Sequence, residues 1–377
     1  MLDQSQHIND ILKRHSAFWK RGDTSEPLLR LAHYNSGYGQ QQSIMRFNLA
    51  DGSISPDDVF YLEPEMLSPE RLSPRYEDSG GKLLMNGDVF QVEAPFARVP
   101  WMEAMLGCAI RVSPQGHSMR PEHLFGEDWH TKTGSMEVDQ RWIDKLLEFT
   151  DYLSSNAKDD KLSFKYLVSN TLMRGPSDMV EALIGGDNLC AGIYEHPDEL
   201  HRLMAACSDV FIGIAKAQLD HIDRFNSGYC NLFGIWAPGT SIRTQDDASA
   251  LVSPAHYAEF MLPYQERIAS YFEYSTIHLH SGSLHTVDWV LDSSITAVQV
   301  SIDPQPYGPT VTELMPVFAR MQKKKPILIE GPMLKEEFEE LLKTLSPKGL
   351  YIWANIESPE DRIKTSRYKV SKPSTIT

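Results

Sequence analysis

Two histidines in one short strand-like segment have the clearest chemical potential in the chain. His278 and His280 alternate with Ile277 and Leu279 in TIHLH, residues 276–280. Successive side chains of a strand point to opposite faces, so both imidazoles share one face with Cα atoms about 7 Å apart. Two imidazoles are costly to bury in an apolar strand and can share one ion or one substrate. We predict a catalytic pair here; the alternative is a hydrogen-bonded structural role.

Two carboxylates end neighbouring apolar runs and are the natural partners of these histidines. Asp303 ends TAVQVSID, and Glu330 ends PILIE. A metal held by His278, His280 and one of these acids would have a mixed nitrogen and oxygen set, which suits zinc and other first-row divalent ions. Without a metal, one histidine would act as general acid or base. We therefore predict that all four are catalytic residues and candidate metal ligands.

Eight further side chains are candidates for substrate contacts because they lie at or near the ends of predicted elements. Arg174 precedes a Gly-Pro break that would aim its guanidinium at a carboxylate or phosphate, and Glu103 can shuttle a proton. Trp236 and Tyr307 can surround a methylated ammonium group. A surface arginine and a solvated acid are the alternatives for the first two. The full set is His33, Trp101, Glu103, Arg174, Trp236, Asp246, Tyr307 and Asn355.

These residues can form one site only in a fold that places the ends of several strands close together. From residue 164 onward, short β-rich runs alternate with segments of helical period, which is typical of a parallel sheet in an α/β protein. Together with two earlier runs they predict eight strands, the number that closes a single (β/α)8 TIM-type barrel with its site at the carboxyl ends. The predicted strands are residues 27–34, 108–113, 164–170, 229–236, 276–280, 296–303, 326–330 and 349–355.

The rest of the chain is interpreted as elaboration of one barrel domain, residues 1–377. Residues 1–26 form an N-terminal extension with a helix over about 3–20. Residues 51–98 are an insertion or cap after the first strand, and Asn86-Gly87 indicates a hairpin inside it. The tail, residues 358–377, is basic and polar, which predicts a loose end.

Composition excludes several classes of function. The 377 residues carry a net charge of −15, which disfavours nucleic acid and anionic membrane surfaces as partners. The four cysteines are widely spaced, so neither a disulfide framework nor a cysteine-rich zinc site is expected. A polar N-terminus and the lack of a long apolar run lead us to expect a cytoplasmic protein. Nucleotide-binding glycine loops and the serine hydrolase motif are also absent from the sequence.

Several stretches resemble, in order and spacing, the uroporphyrinogen decarboxylase superfamily. They are residues 175–204, residues 245–268, and HLHSG at 278–282 followed by VSIDP. This superfamily includes methyltransferases that serve corrinoid proteins and, more distantly, cobalamin-independent methionine synthase. The resemblance covers residues 175–357 well and the first 160 residues loosely. It implies a barrel that transfers methyl groups to or from a small methylated compound, with a corrinoid carried by a partner protein.

The chain departs from both branches of this superfamily. In the methyltransferases, a His-x-Cys strand and a second cysteine near the last strand bind zinc. Here His278 matches that histidine, but His280 stands at the first cysteine, and Ala354 and Asn355 replace the second. If a metal is bound, the resemblance leaves His278, His280 and a carboxylate to hold it.

The decarboxylases bind substrate carboxylates through an arginine-rich first strand, which is reduced here to Arg30 and His33. We therefore favour methyl transfer. The alternatives are a decarboxylase of a porphyrinogen or other carboxylic acid, and a ligand-binding protein without turnover. A homodimer is the expected assembly.

Overall fold

The chain folds as an α/β protein around a parallel sheet. The computed structural model describes residues 4–33, 58–74, 76, 82–113, 118–134, 137–158 and 164–357. The helices of these residues are α1 (Gln4–Lys20), α2 (Pro69–Leu72), α3 (Trp101–Met105), α4 (Gln140–Asn156), α5 (Pro176–Ile184), α6 (Gly186–Glu195), α7 (Pro197–Asp220), α8 (Pro254–Phe260), α9 (Leu262–Ala269), α10 (Val287–Asp292), α11 (Val311–Gln322) and α12 (Lys335–Thr344). Four 3₁₀ segments, Pro64–Met66, Trp129–Thr131, Asp247–Leu251 and Ser281–Thr286, connect them.

The strands form one large sheet and several small ones. In chain order they are β1 (Leu28–His33), β2 (Phe60–Leu62), β3 (Met85–Asn86), β4 (Val89–Phe90), β5 (Val92–Glu93), β6 (Ile110–Ser113), β7 (Ser118–Pro121), β8 (Leu167–Val168), β9 (Tyr229–Cys230), β10 (Trp236–Ala237), β11 (Ser241–Gln245), β12 (Tyr274–His280), β13 (Ala297–Ser301), β14 (Ile327–Leu334) and β15 (Leu350–Glu357).

The large sheet has six parallel strands in the order β1, β15, β14, β13, β12, β11. Most of its strands are apolar because helices and loops cover the sheet, as parallel sheets require. Ile277, Val298, Ile329 and Ile352 are fully buried within it. The register pairs His278 with Gln299 and with Gln245. The carboxyl ends of the strands therefore meet along one edge of the sheet.

Five of the eight predicted strands lie in this sheet: the first and the last four. Its sixth member, β11, was not predicted, because SIRTQ is mostly polar and shows no apolar alternation. All five of its residues are nevertheless buried. Polar strands packed inside a fold give no periodic signal in the sequence.

The other three predicted strands pair elsewhere. Residues 108–113 form β6, which lies between β2 and β7 in a three-stranded antiparallel sheet. Residues 229–236 contain β9 and the start of β10, an antiparallel ribbon. Residues 164–170 contain β8, which pairs in parallel with β5. As parallel strands, residues 108–113 and 229–236 were wrong, because apolar runs do not reveal which partner a strand has, whereas residues 164–170 do contain a parallel strand.

The peripheral elements agree with the sequence at two points. The predicted N-terminal helix is α1, whose Trp19 donates from Nε1 to the Trp236 carbonyl at 2.9 Å. The predicted hairpin is the β3–β4 pair, with Gly87 at a φ of 67° in its turn. The predicted tail, residues 358–377, lies outside the described residues.

Candidate metal centre and adjoining cavity

Polar side chains from four adjacent strands meet at the carboxyl edge of the large sheet. β12 supplies His278 and His280, and β13 supplies Gln299. Asp247 follows β11 by two residues and begins a 3₁₀ segment, and Glu330 lies within β14. Parallel strands end at the same edge, so residues distant in the chain become neighbours there.

Asp247, His278 and His280 form a group with the composition of a metal site. One ligand atom from each lies within 4.8 Å of the other two. Asp247 Oδ1 is 4.0 Å from Nε2 of His278 and 3.8 Å from Nε2 of His280. This oxygen is buried and has no hydrogen-bond partner among the described residues. Nitrogen and oxygen ligands of zinc lie about 2.1 Å from the ion, so small side-chain rotations would close the group around one.

The tautomer of His278 is set by an amide and a carboxylate behind it. Nε2 of Gln299 donates to Oε2 of Glu330 at 3.0 Å, which directs Oε1 of the same amide toward Nδ1 of His278. Because that oxygen only accepts, Nδ1 carries the proton, and the lone pair of Nε2 faces Asp247.

His280 is oriented in the same way by a carboxylate. Its Nδ1 donates to Oδ1 of Asp303 at 2.7 Å, and the other oxygen of Asp303 accepts from the backbone N–H of Gly282 at 2.9 Å. The Ser281 hydroxyl also donates to that second oxygen, at 3.3 Å. Asp303 is therefore held in place from the loop that follows β12. Both histidines present Nε2 to the same point in space.

The two histidines differ in charge preference. Burial, followed by the nearby Arg243 guanidinium, holds the pKa of His278 well below its ordinary value. The hydrogen bond to Asp303 raises the pKa of His280, although burial opposes it. Arg243 is itself buried, which lowers its pKa to about 10 despite the surrounding carboxylates. His278 is thus neutral at pH 7, the form in which an imidazole can bind a metal.

The structure gives the two predicted acids supporting positions. Asp303 hydrogen-bonds His280, and Glu330 contacts the histidines only through Gln299. The carboxylate that faces both histidines is Asp247, which is not among the residues predicted from the sequence. The predicted residue is the neighbouring Asp246, which is 1% exposed and accepts a hydrogen bond from the Ser177 hydroxyl. The paired aspartates were a signal, but their sequence did not show which one faces the histidines.

Glu103 and Arg174 form a second centre. The two side chains make an ion pair at 3.0 Å, and the guanidinium also lies 3.8 Å from Asp178 and 3.9 Å from Glu181. Burial raises the pKa of Glu103, although the arginine opposes the shift. Burial and the charge of Asp247 raise the pKa of Asp178 to about 7. Two candidates chosen separately in the sequence are thus direct partners.

A cavity of about 520 Å³ adjoins this second centre. Its walls come from α3, α5, β7 and the chain before α5, and it is lined by Arg98, Glu103, Arg120, His123, Arg174 and Glu181 among others. Trp101 borders the cavity but is 1% exposed, and it packs edge-on against Trp142 and Phe149. The indole therefore belongs mainly to the core.

The remaining candidates lie apart from the histidine pair or on its margin. Trp236 packs near α1 and donates from Nε1 to the Phe225 carbonyl at 2.7 Å. Tyr307 is 54% exposed in the loop after β13. Asn355 lies in β15 opposite Pro332. His33 ends β1, and the position of its side chain lies outside the described part of the molecule.

Comparison with known proteins identifies a fold relative. No family model matches the chain, and no curated protein matches it either. A methyltransferase from Methanosarcina mazei has a similar structure, with a TM-score of 0.58 and 14% sequence identity. The match covers 95% of this chain and 97% of that one. The α/β fold is therefore shared with a methyltransferase over nearly the full length.

No membrane-crossing segment is found. Within the described ranges, no helix has both the length and the apolar content needed to span a bilayer.

Proposed function

We propose that the protein is a methyltransferase that acts on a small methylated compound, with a divalent metal held by Asp247, His278 and His280. The observation that carries the proposal is the convergence of these three ligand atoms, with both Nδ1 atoms already engaged. The shared fold with a methyltransferase and the resemblance of residues 175–357 to the corrinoid methyltransferases support the reaction class.

Gln299 and Asp303 would orient the two histidine ligands. Gln299 and Asp303 hold protons on the two Nδ1 atoms, which leaves both Nε2 lone pairs for the ion. When bound, a zinc or similar divalent ion would supply Lewis acidity and lower the pKa of a methyl acceptor such as a thiol. With Asp247, His278 and His280 the ligand set would be one anion and two neutral imidazoles, in place of the two thiolates and one imidazole that the resemblance implies.

Metal analysis tests the site directly. The purified protein is loaded with zinc, dialysed and measured by atomic emission, beside Asp247→Asn and His280→Ala. We expect one ion per wild-type chain and a loss of at least about tenfold in affinity for each variant. Asp209→Asn is the matched control, because this exposed carboxylate pairs with Arg267 away from the site. Wild type without stoichiometric metal, or Asp247→Asn with full affinity, contradicts the metal site.

The reaction class has its own test. A corrinoid protein is the proposed methyl carrier, and free methylcobalamin with a thiol serves as the probe. Zinc-loaded wild type should accelerate loss of the methylcobalamin absorbance, with equal formation of the methyl thioether. Release of carbon dioxide from a porphyrinogen or a simpler acid, without methyl transfer, would instead favour a decarboxylase. Ligand binding without either reaction would favour a binding protein.

The fold proposal is that the two parallel sheets are arcs of one eight-stranded barrel. β5 and β8 supply two parallel strands beyond the six, and the N–H of Asp88, shortly before β5, donates to the Leu29 carbonyl of β1 at 2.9 Å. On the other side, Ser169 and Asn170 line a small cavity with Ser241 of β11. These contacts support closure between β11 and β1, and an experimental structure with complete strand pairing would test it.

A further inference from the structure

The buried end of the 520 Å³ cavity carries excess negative charge. Glu103, Asp178 and Glu181 all lie within 4 Å of the single Arg174 guanidinium. Two of these carboxylates, Glu103 and Glu181, line the cavity, and they share one guanidinium. Glu103 is 1% exposed, and its Oε2 atom is buried without a hydrogen-bond partner in the part of the chain that the structure describes. A buried carboxylate oxygen without a hydrogen-bond donor favours a ligand that carries a positively charged donor.

The less buried part of the cavity lining carries positive charge. Arg98 and Arg120 both line it. Among the described residues, neither guanidinium has a carboxylate within 4 Å, whereas Arg174 has three. Arginine presents its donors in a planar fork that matches a carboxylate. This end therefore suits an anionic group.

We propose that the cavity binds a small zwitterion, with its protonated amine against Glu103 and Glu181 and its carboxylate against Arg98 and Arg120. The volume lies in the range of small-molecule sites. A ligand with only a positive charge would leave Arg98 and Arg120 without an anion, and a ligand with only a negative charge would leave Oε2 of Glu103 without a donor. A ligand with both charges satisfies both ends.

The cavity is electrostatically connected to the candidate metal centre. Asp178 lies 3.8 Å from Arg174 and accepts at Oδ1 from the backbone N–H of Ala248, the residue after Asp247. The Asp247 charge also acts on Arg174, whose pKa is raised by nearby carboxylates although burial opposes it. A role for this zwitterion as the substrate would rest on the proposed function, but its binding does not.

Binding is tested by titration calorimetry on metal-free protein, so that chelation by zinc plays no part. The zwitterionic probes are β-alanine, 4-aminobutyrate and 6-aminohexanoate, which vary the distance between the charges. The single-charge controls are butylamine and butyrate. We expect at least one zwitterion to bind about tenfold more tightly than either control, since each lost charge-assisted hydrogen bond costs about that factor. If butyrate or butylamine binds as well as every zwitterion, the proposal is wrong.

Two variants locate the binding. Glu103→Gln keeps the shape but removes the charge, and should weaken the best zwitterion about tenfold. Arg120→Gln changes an exposed side chain, so folding is preserved, and it should weaken the zwitterion while leaving butylamine unchanged. Arg202→Gln is the control, because this exposed arginine pairs with Glu199 on α7. Unchanged zwitterion affinity in Arg120→Gln would exclude this cavity as the site.

The same titrations separate this inference from the methyltransferase proposal. His280→Ala should bind the zwitterion with wild-type affinity in the absence of metal, because its imidazole does not line the cavity. If zwitterions bind but no methyl transfer is found, the proposed function fails and the cavity assignment stands. If methyl transfer is found and zwitterions do not bind, the cavity assignment fails alone.

Discussion

Nδ1 of His280 lies 2.7 Å from Oδ1 of Asp303, and the other nitrogen of that ring faces Asp247. This arrangement gives the two carboxylates different roles although both flank one imidazole. Asp303 fixes the proton on Nδ1 and raises the basicity of the ring, and Asp247 stands where a metal ligand would stand. The sequence predicts Asp303 itself as a candidate ligand, whereas in the structure its oxygens accept hydrogen bonds from His280, Gly282 and Ser281.

We predict that Asp303→Asn weakens zinc binding without removing it. An asparagine can still accept from Nδ1 but carries no charge, so His280 loses basicity and orientation. The loss should be about 10-fold to 100-fold in affinity, the usual effect of removing a hydrogen-bonding partner of a metal ligand. Competition with a zinc-binding dye measures it. Complete loss of zinc would instead show that Asp303 is itself a ligand.

A second prediction concerns Gln299, which plays the same part for His278. Gln299→Leu leaves Nδ1 without an acceptor, and the buried ring can then protonate the wrong nitrogen. Zinc affinity should fall about 10-fold to 100-fold. Glu330→Gln acts one step further away, through the Gln299 amide, so its effect should be smaller. If Glu330→Gln lowers zinc affinity more than Gln299→Leu does, the carboxylate contacts the ion directly.

The histidine pair illustrates what a sequence can reveal about a site. Alternation in TIHLH placed both rings on one face, and this follows from strand geometry alone. The third ligand could not be found in the same way, because Asp247 lies in a 3₁₀ segment after β11, a strand that was not recognised. Arg243 and Gln245 make that strand polar, and only the tertiary structure shows that they are buried.

The sequence likewise predicts some features of the fold and not others. Apolar runs such as those of β13 and β14 identify buried strands because a parallel sheet is covered on both faces. Residues 108–113 have a similar composition, yet β6 pairs with β2 and β7 outside the large sheet. Composition determines whether a segment forms a strand, whereas the partner depends on contacts between distant parts of the chain.

A third prediction links His15 to acid stability. Its Nδ1 accepts from the backbone N–H of Trp236 at 2.9 Å, and its Nε2 donates to the Asp88 carbonyl at 2.8 Å, so the buried ring is neutral. Burial lowers its pKa from 6.5 to about 4. The unfolded chain therefore takes up a proton between these values and the folded chain does not. Stability should fall as pH drops from 6.5 to 4, by about 3 kcal/mol in total.

Urea unfolding across this pH range measures the effect. His15→Gln keeps a donor and an acceptor but does not titrate, so its free energy of unfolding should change less over the same interval. His7→Gln is the control, because it replaces an exposed histidine on the same helix. Equal slopes for wild type and His15→Gln would show that the acid sensitivity comes from other groups.

The last prediction concerns the contact between the start of α5 and the end of β11. A Cβ added to Gly175 would lie 2.1 Å from the Gln245 carbonyl oxygen and 2.6 Å from Nε2 of Gln265, so no side chain fits there. Gly175→Ala must push these elements apart, at a cost of about 1–3 kcal/mol for overpacking. Gln245 donates from Nε2 to Asp247 at 3.2 Å, so the displacement should also weaken zinc binding.

Gly213→Ala in α7 is the matched control, because nothing lies within 4 Å of its added Cβ. That change should stabilise the protein by about 0.5–1 kcal/mol through helix propensity and leave zinc affinity unchanged. Thermal unfolding and zinc titration of both variants measure the difference, and a Gly175→Ala variant with wild-type stability and zinc affinity would show that the close approach is not needed to position Asp247.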